Sequence, residues 1–145
     1  RALLETNLHG VVNTAAAVLP GLLAQGRGAL GIVSSVAGYR GLPKALIYGA
    51  SKAALINFAE TLYLDLHPKG LGVYLIMPGF VKTPLTDKND FKMPFIMEPE
   101  AAAREFFEHM NDDGFKKSYP MVFSWLFRVS QFMPDWMYYR IFGAR

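Results

Sequence analysis

Tyr48 and Lys52 stand four residues apart, Ser35 lies thirteen before the tyrosine, and Asn7 lies twenty-eight before the serine. A Pro78-Gly79 dipeptide follows thirty residues after the tyrosine. Seven Tyr and eight Lys in 145 residues make roughly 0.4 Tyr-x-x-x-Lys pairs by chance, so that pair alone says little. Requiring Ser and Asn at the two further offsets lowers the chance expectation to roughly 0.0005. A set that improbable asks for a chemical reading.

On a helix, residues four apart share a face, so the Lys52 ammonium can sit beside the Tyr48 phenol. A phenol in water, with a pKa near ~10, exchanges protons poorly at neutral pH. A fixed cation close by favours the phenolate, and a tyrosine tuned in this way can give a proton to a substrate oxygen or take one from it. Ser35 can hold and polarise that oxygen, because a hydroxyl both donates and accepts. Asn7 supplies a side-chain amide able to keep a water against the lysine.

The elements that must carry these groups can be read around them. Residues 2–25 form a helix that ends near Gly26, with Pro20 bending or breaking its last turns. Ala29 to Ser35 is an apolar run bounded by glycine, the pattern of a buried parallel strand. Residues 45–67 make a long helix closed by Pro68 and Gly70, and Gly72 to Met77 a second buried strand. Strand, helix, strand is a βαβ unit with parallel strands. Ser35 and Pro78-Gly79 then lie at the C-terminal ends of the two strands, where open α/β sheets place their ligand crevice. Glu98-Pro99-Glu100 opens a helix through Met110, and Lys116 to Phe123 reads as a weaker edge strand.

The chain resembles the short-chain dehydrogenase/reductase family of nicotinamide-dependent oxidoreductases. The matching stretches are Asn7-Leu8-His9-Gly10, Ile32-Val33-Ser34-Ser35-Val36-Ala37-Gly38, Tyr48-Gly49-Ala50-Ser51-Lys52 and Pro78-Gly79-Phe80-Val81-Lys82-Thr83. The resemblance implies Tyr48 as proton donor or acceptor, Ser35 as the carbonyl-orienting group, Lys52 as phenol tuner and ribose binder, and Asn7 as a water-holding link. Thr83, with backbone around Pro78, Gly79 and Val81, would meet the nicotinamide of NAD or NADP. It also implies a three-layer, Rossmann-like, doubly wound parallel α/β sheet. The family's glycine-rich turn, Thr-Gly-x-x-x-Gly-x-Gly, and its Asn-Asn-Ala-Gly segment are absent from these 145 residues, and the first residue is Arg1. The expectation is therefore a single partial domain, the C-terminal half of a longer protein, in which adenine and pyrophosphate binding are unaccounted for.

Composition agrees with an ordered α/β domain, with 52% hydrophobic and 19% charged residues. A net charge of +3 is too mild to imply nucleic acid. Cysteine is absent, and His9, His67 and His109 share no ligand-like spacing, so no metal site is expected. Thr6, Asn7, Asn13, Thr14, Pro20 and Gln25 interrupt the first helix, which favours a soluble amphipathic element over a membrane span. Glu5 and Asn7 also fit poorly in a signal peptide, and a cytoplasmic location is expected.

Three features bear on partners. The helix of residues 45–67 is apolar nearly all round and needs a cover for its second face. The resemblance implies the same helix of another subunit, in a homodimer or homotetramer, and the alternative is the C-terminal tail. Residues 80–98 form a loop after the crevice, in which Phe80, Phe91, Met93, Phe95 and Met97 either line a pocket for an apolar carbonyl compound or pack as ordinary core. From Phe115 onward lie ten of the chain's twenty aromatic residues, with five basic residues against Asp135 as the sole acid. This tail, residues 122–145, is expected to be mostly helical and either to settle on a membrane surface or to pack across its own domain. The alternatives to an oxidoreductase are a catalytically incompetent fragment serving as a dimerisation or binding module, and a membrane-surface protein.

Overall fold

The computed structural model describes residues 1–84, 86–90 and 92–143. Helix α1, Ala2–Gln25, contains a π-helical stretch at Glu5–His9. It continues through Pro20, which therefore does not break it, and ends where Gly26 takes a left-handed conformation (φ 63°) and its N–H reaches back to the carbonyls of Leu22 and Leu23. Strand β1 is Ala29–Val33 and helix α2 is Leu46–Leu66. Strand β2 is Gly72–Pro78, helix α3 is Pro99–Met110 and strand β3 is Lys116–Tyr119. Helices α4, Met121–Ser130, and α5, Asp135–Phe142, form the tail.

The three strands make one parallel sheet in the order β1-β2-β3, with Ala29 opposite Gly72 and Leu75 opposite Lys116. Side chains alternate across it, and the two faces have different covers. Ile32, Leu75 and Met77 pack with Leu55 and Ala59 of α2, with Leu8 and Val11 of α1 beside them. Ile76 points the other way and meets Ala102 and Phe106 of α3. Helices on both faces of a parallel sheet make the three-layer, Rossmann-like arrangement expected. Lys116 pairs with Glu60 of α2 at 2.6 Å and Lys117 with Glu105 of α3 at 3.0 Å, tying β3 to both layers.

Three expectations need correction. β2 is a buried strand, whereas Val33 in β1 is 48% exposed. Within this segment β1 is paired on one side only, the open edge expected where further strands of a longer protein would pair. β3 stops at Tyr119 and does not run to Phe123, because Pro120 has no N–H for the ladder and instead precedes α4. The tail does not cover the second face of α2. There Leu46 and Leu64 remain 84% and 73% exposed. Helix α1 is long and apolar enough to cross a membrane by length and composition, and little of it is buried. Its inward residues Leu8, Val11, Leu19 and Leu22 nonetheless pack on the core.

Leu55 is completely buried between α2 and the sheet. Leu55→Ala is expected to lower unfolding stability by about 2–5 kcal/mol, read from urea denaturation with an unchanged slope. A loss below about 0.5 kcal/mol, the range of surface substitutions, would contradict this packing.

Candidate active site

The site grows from the exit of β1. The Ser34 N–H extends the ladder by donating to the Ile76 carbonyl at 2.8 Å, and the buried Ser34 hydroxyl donates to the Lys52 carbonyl at 2.7 Å. Ser35 follows in extended conformation and caps the 3-10 turn Val36–Gly38, its Oγ accepting from the Ala37 N–H at 3.2 Å. The same hydroxyl is directed at the Pro78 carbonyl, 3.4 Å away. A Cβ on Gly38 would lie 2.7–2.9 Å from the Lys52 carbonyl group and the Ala53 nitrogen. The turn that carries Ser35 therefore rests directly on the backbone of α2, and only glycine permits that approach.

Tyr48 and Lys52 share the face of α2 that the spacing requires. The Tyr48 side chain is partly exposed, and Lys52 Nζ lies 5.8 Å from its ring centroid. The ammonium donates to the Val33 carbonyl at 3.1 Å. Burial removes part of its hydration and pushes the Lys52 pKa below the ordinary lysine value. Ser51, buried one position before it, donates to the Tyr48 carbonyl at 2.7 Å. Asn7 sits in the π-helical stretch of α1, an irregularity frequent at functional sites. Its amide points to Ser51 Oγ at a long 3.5 Å, so its polar contact is the neighbour of Lys52 and not Lys52 itself.

The exit of β2 forms the other wall. The Gly79 N–H donates to the Tyr119 carbonyl at 2.7 Å, the Lys82 N–H to Met97 at 2.9 Å, and the Thr83 N–H to Thr86 Oγ1 at 2.8 Å. Among the described residues the Val81 N–H has no partner, although its carbonyl lies 2.9 Å from Thr86 Oγ1. Phe80 and Phe95 place their rings 5.8 and 5.9 Å from that of Phe123, which also packs on Gly79. Met93 contacts Asn89 instead, and Phe91 lies outside the described residues.

Ser35 is thus brought to Pro78, Tyr48 to Lys52, and Phe80 to Phe95 through Phe123. Ser34, Gly38, Ser51, Thr86 and Phe123 escaped sequence reasoning, because their roles depend on backbone groups distant in the chain. Arg40 escaped as well. Its guanidinium donates to the carbonyls of Ser130 and Met133 at 2.6 and 2.8 Å, pairs with Asp135 and lies 4.0 Å over the Tyr138 ring. With the Tyr138 hydroxyl donating to the Gly41 carbonyl at 2.6 Å, it fastens the tail to the loop between Ser35 and Tyr48. Two surface cavities, of about 360 and 350 Å³, lie elsewhere, beside β3 and at the N-terminal end of β2. At the strand ends the buried Ser35 and the 40% exposed Tyr48 form a ledge.

The sequence profile of short chain dehydrogenases matches residues 1–93, and the chain belongs to that family. An uncharacterized oxidoreductase of Myxococcus xanthus is 39% identical over 135 residues, covering 93% of this chain and 53% of that protein. The 3-ketodihydrosphingosine reductase of Bacteroides thetaiotaomicron is 39% identical over 87 residues, covering 60% of this chain and 32% of that one. A short chain dehydrogenase from Burkholderia cenocepacia in complex with NADP superimposes with a TM-score of 0.83 at 20% identity, covering 97% of this chain and 57% of the other. One from Burkholderia phymatum in complex with NAD does so at 0.74 and 24% identity, covering 86% and 54%. At these identities the structural likeness carries the fold alone. The chain spans 32% to 57% of the length of these four proteins.

Gly38→Ala tests the contact on which the ledge rests. The neighbouring atoms are helix backbone and cannot yield, so the turn must lift from α2. A loss of about 1–3 kcal/mol is expected from such overpacking, with faster amide exchange at Ala37 and Gly38. Unchanged stability and exchange would show that the turn does not bear on the helix.

Proposed function

We propose that the chain forms the catalytic half of one Rossmann-like domain in an NAD- or NADP-dependent oxidoreductase acting between an alcohol and a carbonyl compound. The observation that carries this reading is the placement of Tyr48 and Lys52 on one face of α2, with Ser34 bonding that helix to the strand end that presents Ser35. A nicotinamide cofactor, when bound, supplies or accepts the hydride. In the reducing direction Tyr48 gives its phenolic proton to the oxygen that gains charge, and Ser35 donates a hydrogen bond to the same oxygen. Lys52 keeps a cation beside the phenol. Its ammonium has lost part of its water and among the described residues bonds only the Val33 carbonyl, so it is prepared to take a ribose hydroxyl as a further acceptor. Asn7, through the Ser51 side of α2, supports a water that returns the proton.

The residues present fit a nicotinamide at this place. The Val81 N–H, without a partner among the described residues, offers a donor to its carboxamide, and Thr83, Pro78 and Gly79 line the same exit of β2. Phe80 and Phe95, joined by Phe123, form an apolar wall that favours an apolar or aromatic substrate, with Met93 farther along the loop. The exposed Leu46 and Leu64 on α2 favour a second subunit there, in a homodimer or homotetramer. A second reading concerns the tail. The exposure of Trp125, Phe132 and Trp136 favours peripheral membrane contact by an otherwise cytoplasmic protein.

Two measurements test the enzymatic reading. In a full-length protein carrying this segment, Tyr48→Phe should lower the chemical rate by ~10²–10⁴-fold with the fold intact. Lys52→Met should impair both rate and cofactor affinity, and Ser35→Ala mainly rate. A Tyr48→Phe enzyme that kept most of its activity would remove the tyrosine from the mechanism. The isolated chain has no glycine-rich helix start on which a pyrophosphate could rest. Calorimetry should find it binding NAD or NADP more weakly than about −8 kcal/mol, the micromolar range. Tighter binding would mean that the nicotinamide end dominates affinity.

A further inference from the structure

The tail carries a surface that the proposed chemistry does not use. At about 100° per residue, Met121, Val122, Trp125, Leu126 and Val129 of α4 fall within an arc of about 140°. All five are exposed, from 47% to 72%, while Phe123, Phe127 and Ser130 on the opposite side are buried. A helix apolar on both sides needs a second apolar medium. Phe132, in the turn that follows, is 88% exposed, and Trp136 and Tyr139 of α5 are exposed as well.

Charge identifies that medium. Arg128 lies at the margin of the apolar arc, where its Nε donates to the Tyr39 hydroxyl at 3.4 Å and Glu105, paired with Lys117, lines the same cavity; Arg140 lies on α5, and neither arginine is in an ion pair among the described residues. The one acid after Phe115 is Asp135, and Arg40 already neutralises it. An anionic lipid surface supplies the counter-charge to both arginines, more of it than a second copy, which would bring Glu105 together with the same arginines. Exposed Trp and Tyr, with apolar rings and polar edges, suit the headgroup boundary.

We propose that the outer face of α4, with Phe132, docks onto an anionic lipid surface. This rests on the second reading above and adds to it the face and the lipid chemistry. Because Phe123 on the inner side of α4 touches Gly79 and stacks near Phe80 and Phe95, docking would bring the apolar wall of the site within about one helix diameter, ~10 Å, of the lipid.

The test is flotation of the whole chain with vesicles of phosphatidylcholine alone or mixed with phosphatidylglycerol. The wild-type chain should float with the mixed vesicles and much less with the neutral ones. Val122→Glu with Leu126→Glu should lower binding at least tenfold at an unchanged circular dichroism spectrum. If that variant unfolds, Trp136→Phe leaves Trp125 as the sole tryptophan, and brominated lipids should quench its fluorescence. Failure of the wild-type chain to bind any vesicle would overturn both this proposal and the reading beneath it. Binding that survives the double variant, occurs equally on neutral vesicles, or leaves Trp125 unquenched would overturn the assignment of face and charge alone.

Discussion

The site depends on one close approach, the seating of the turn Val36–Gly38 on the backbone of α2. Gly38 leaves room for no side chain there, and the Ser34 hydroxyl bonds the helix at Lys52 from the strand before it. These contacts set the Ser35 turn against the helix segment of Tyr48 and Lys52 without any direct bond among the three candidate side chains. The Ser51 hydroxyl, which donates to the Tyr48 carbonyl, and the approach of Asn7 to it belong to the same stretch of α2. The candidate groups are thereby left with spare bonding capacity, and neighbouring groups do the fastening.

Lys52 shows what that division entails. Its ammonium is partly stripped of water, and its partner is the neutral carbonyl of Val33 rather than a carboxylate. Such a group is poorly compensated, and a ligand that brings hydroxyl acceptors would improve its position. Val81 is similar on the opposite wall, where the N–H groups of Gly79, Lys82 and Thr83 are engaged and its own has no partner among the described residues. Arg40 binds the tail to the loop between these walls, so the packing of α4 and α5 and the geometry of the ledge are mechanically connected.

Much of this was legible in the chain because it follows from local spacing. The offset of four placed Tyr48 and Lys52 on one helix face, and the apolar run with a glycine boundary placed β2 and its Pro78-Gly79 exit. What was not legible depends on neighbours distant in sequence. Ser34 and Ser35 are the same residue type side by side. Only the direction of the strand shows that one fastens the helix and the other faces Pro78. The end of β3 was available in Pro120, whose missing N–H weighed more than the apolar residues beyond it.

The central claim is that Ser35, Tyr48 and Lys52 converge on a single ligand oxygen and its cofactor. A crystal structure of a full-length protein carrying this segment, with a nicotinamide cofactor and a substrate analogue, tests it most directly. The account predicts the analogue's oxygen within ~2.6–3.2 Å of both the Tyr48 and Ser35 hydroxyls, with Lys52 Nζ engaging the ribose. An analogue seated away from Tyr48 and Ser35, with Lys52 still bonded to Val33 alone, would contradict it.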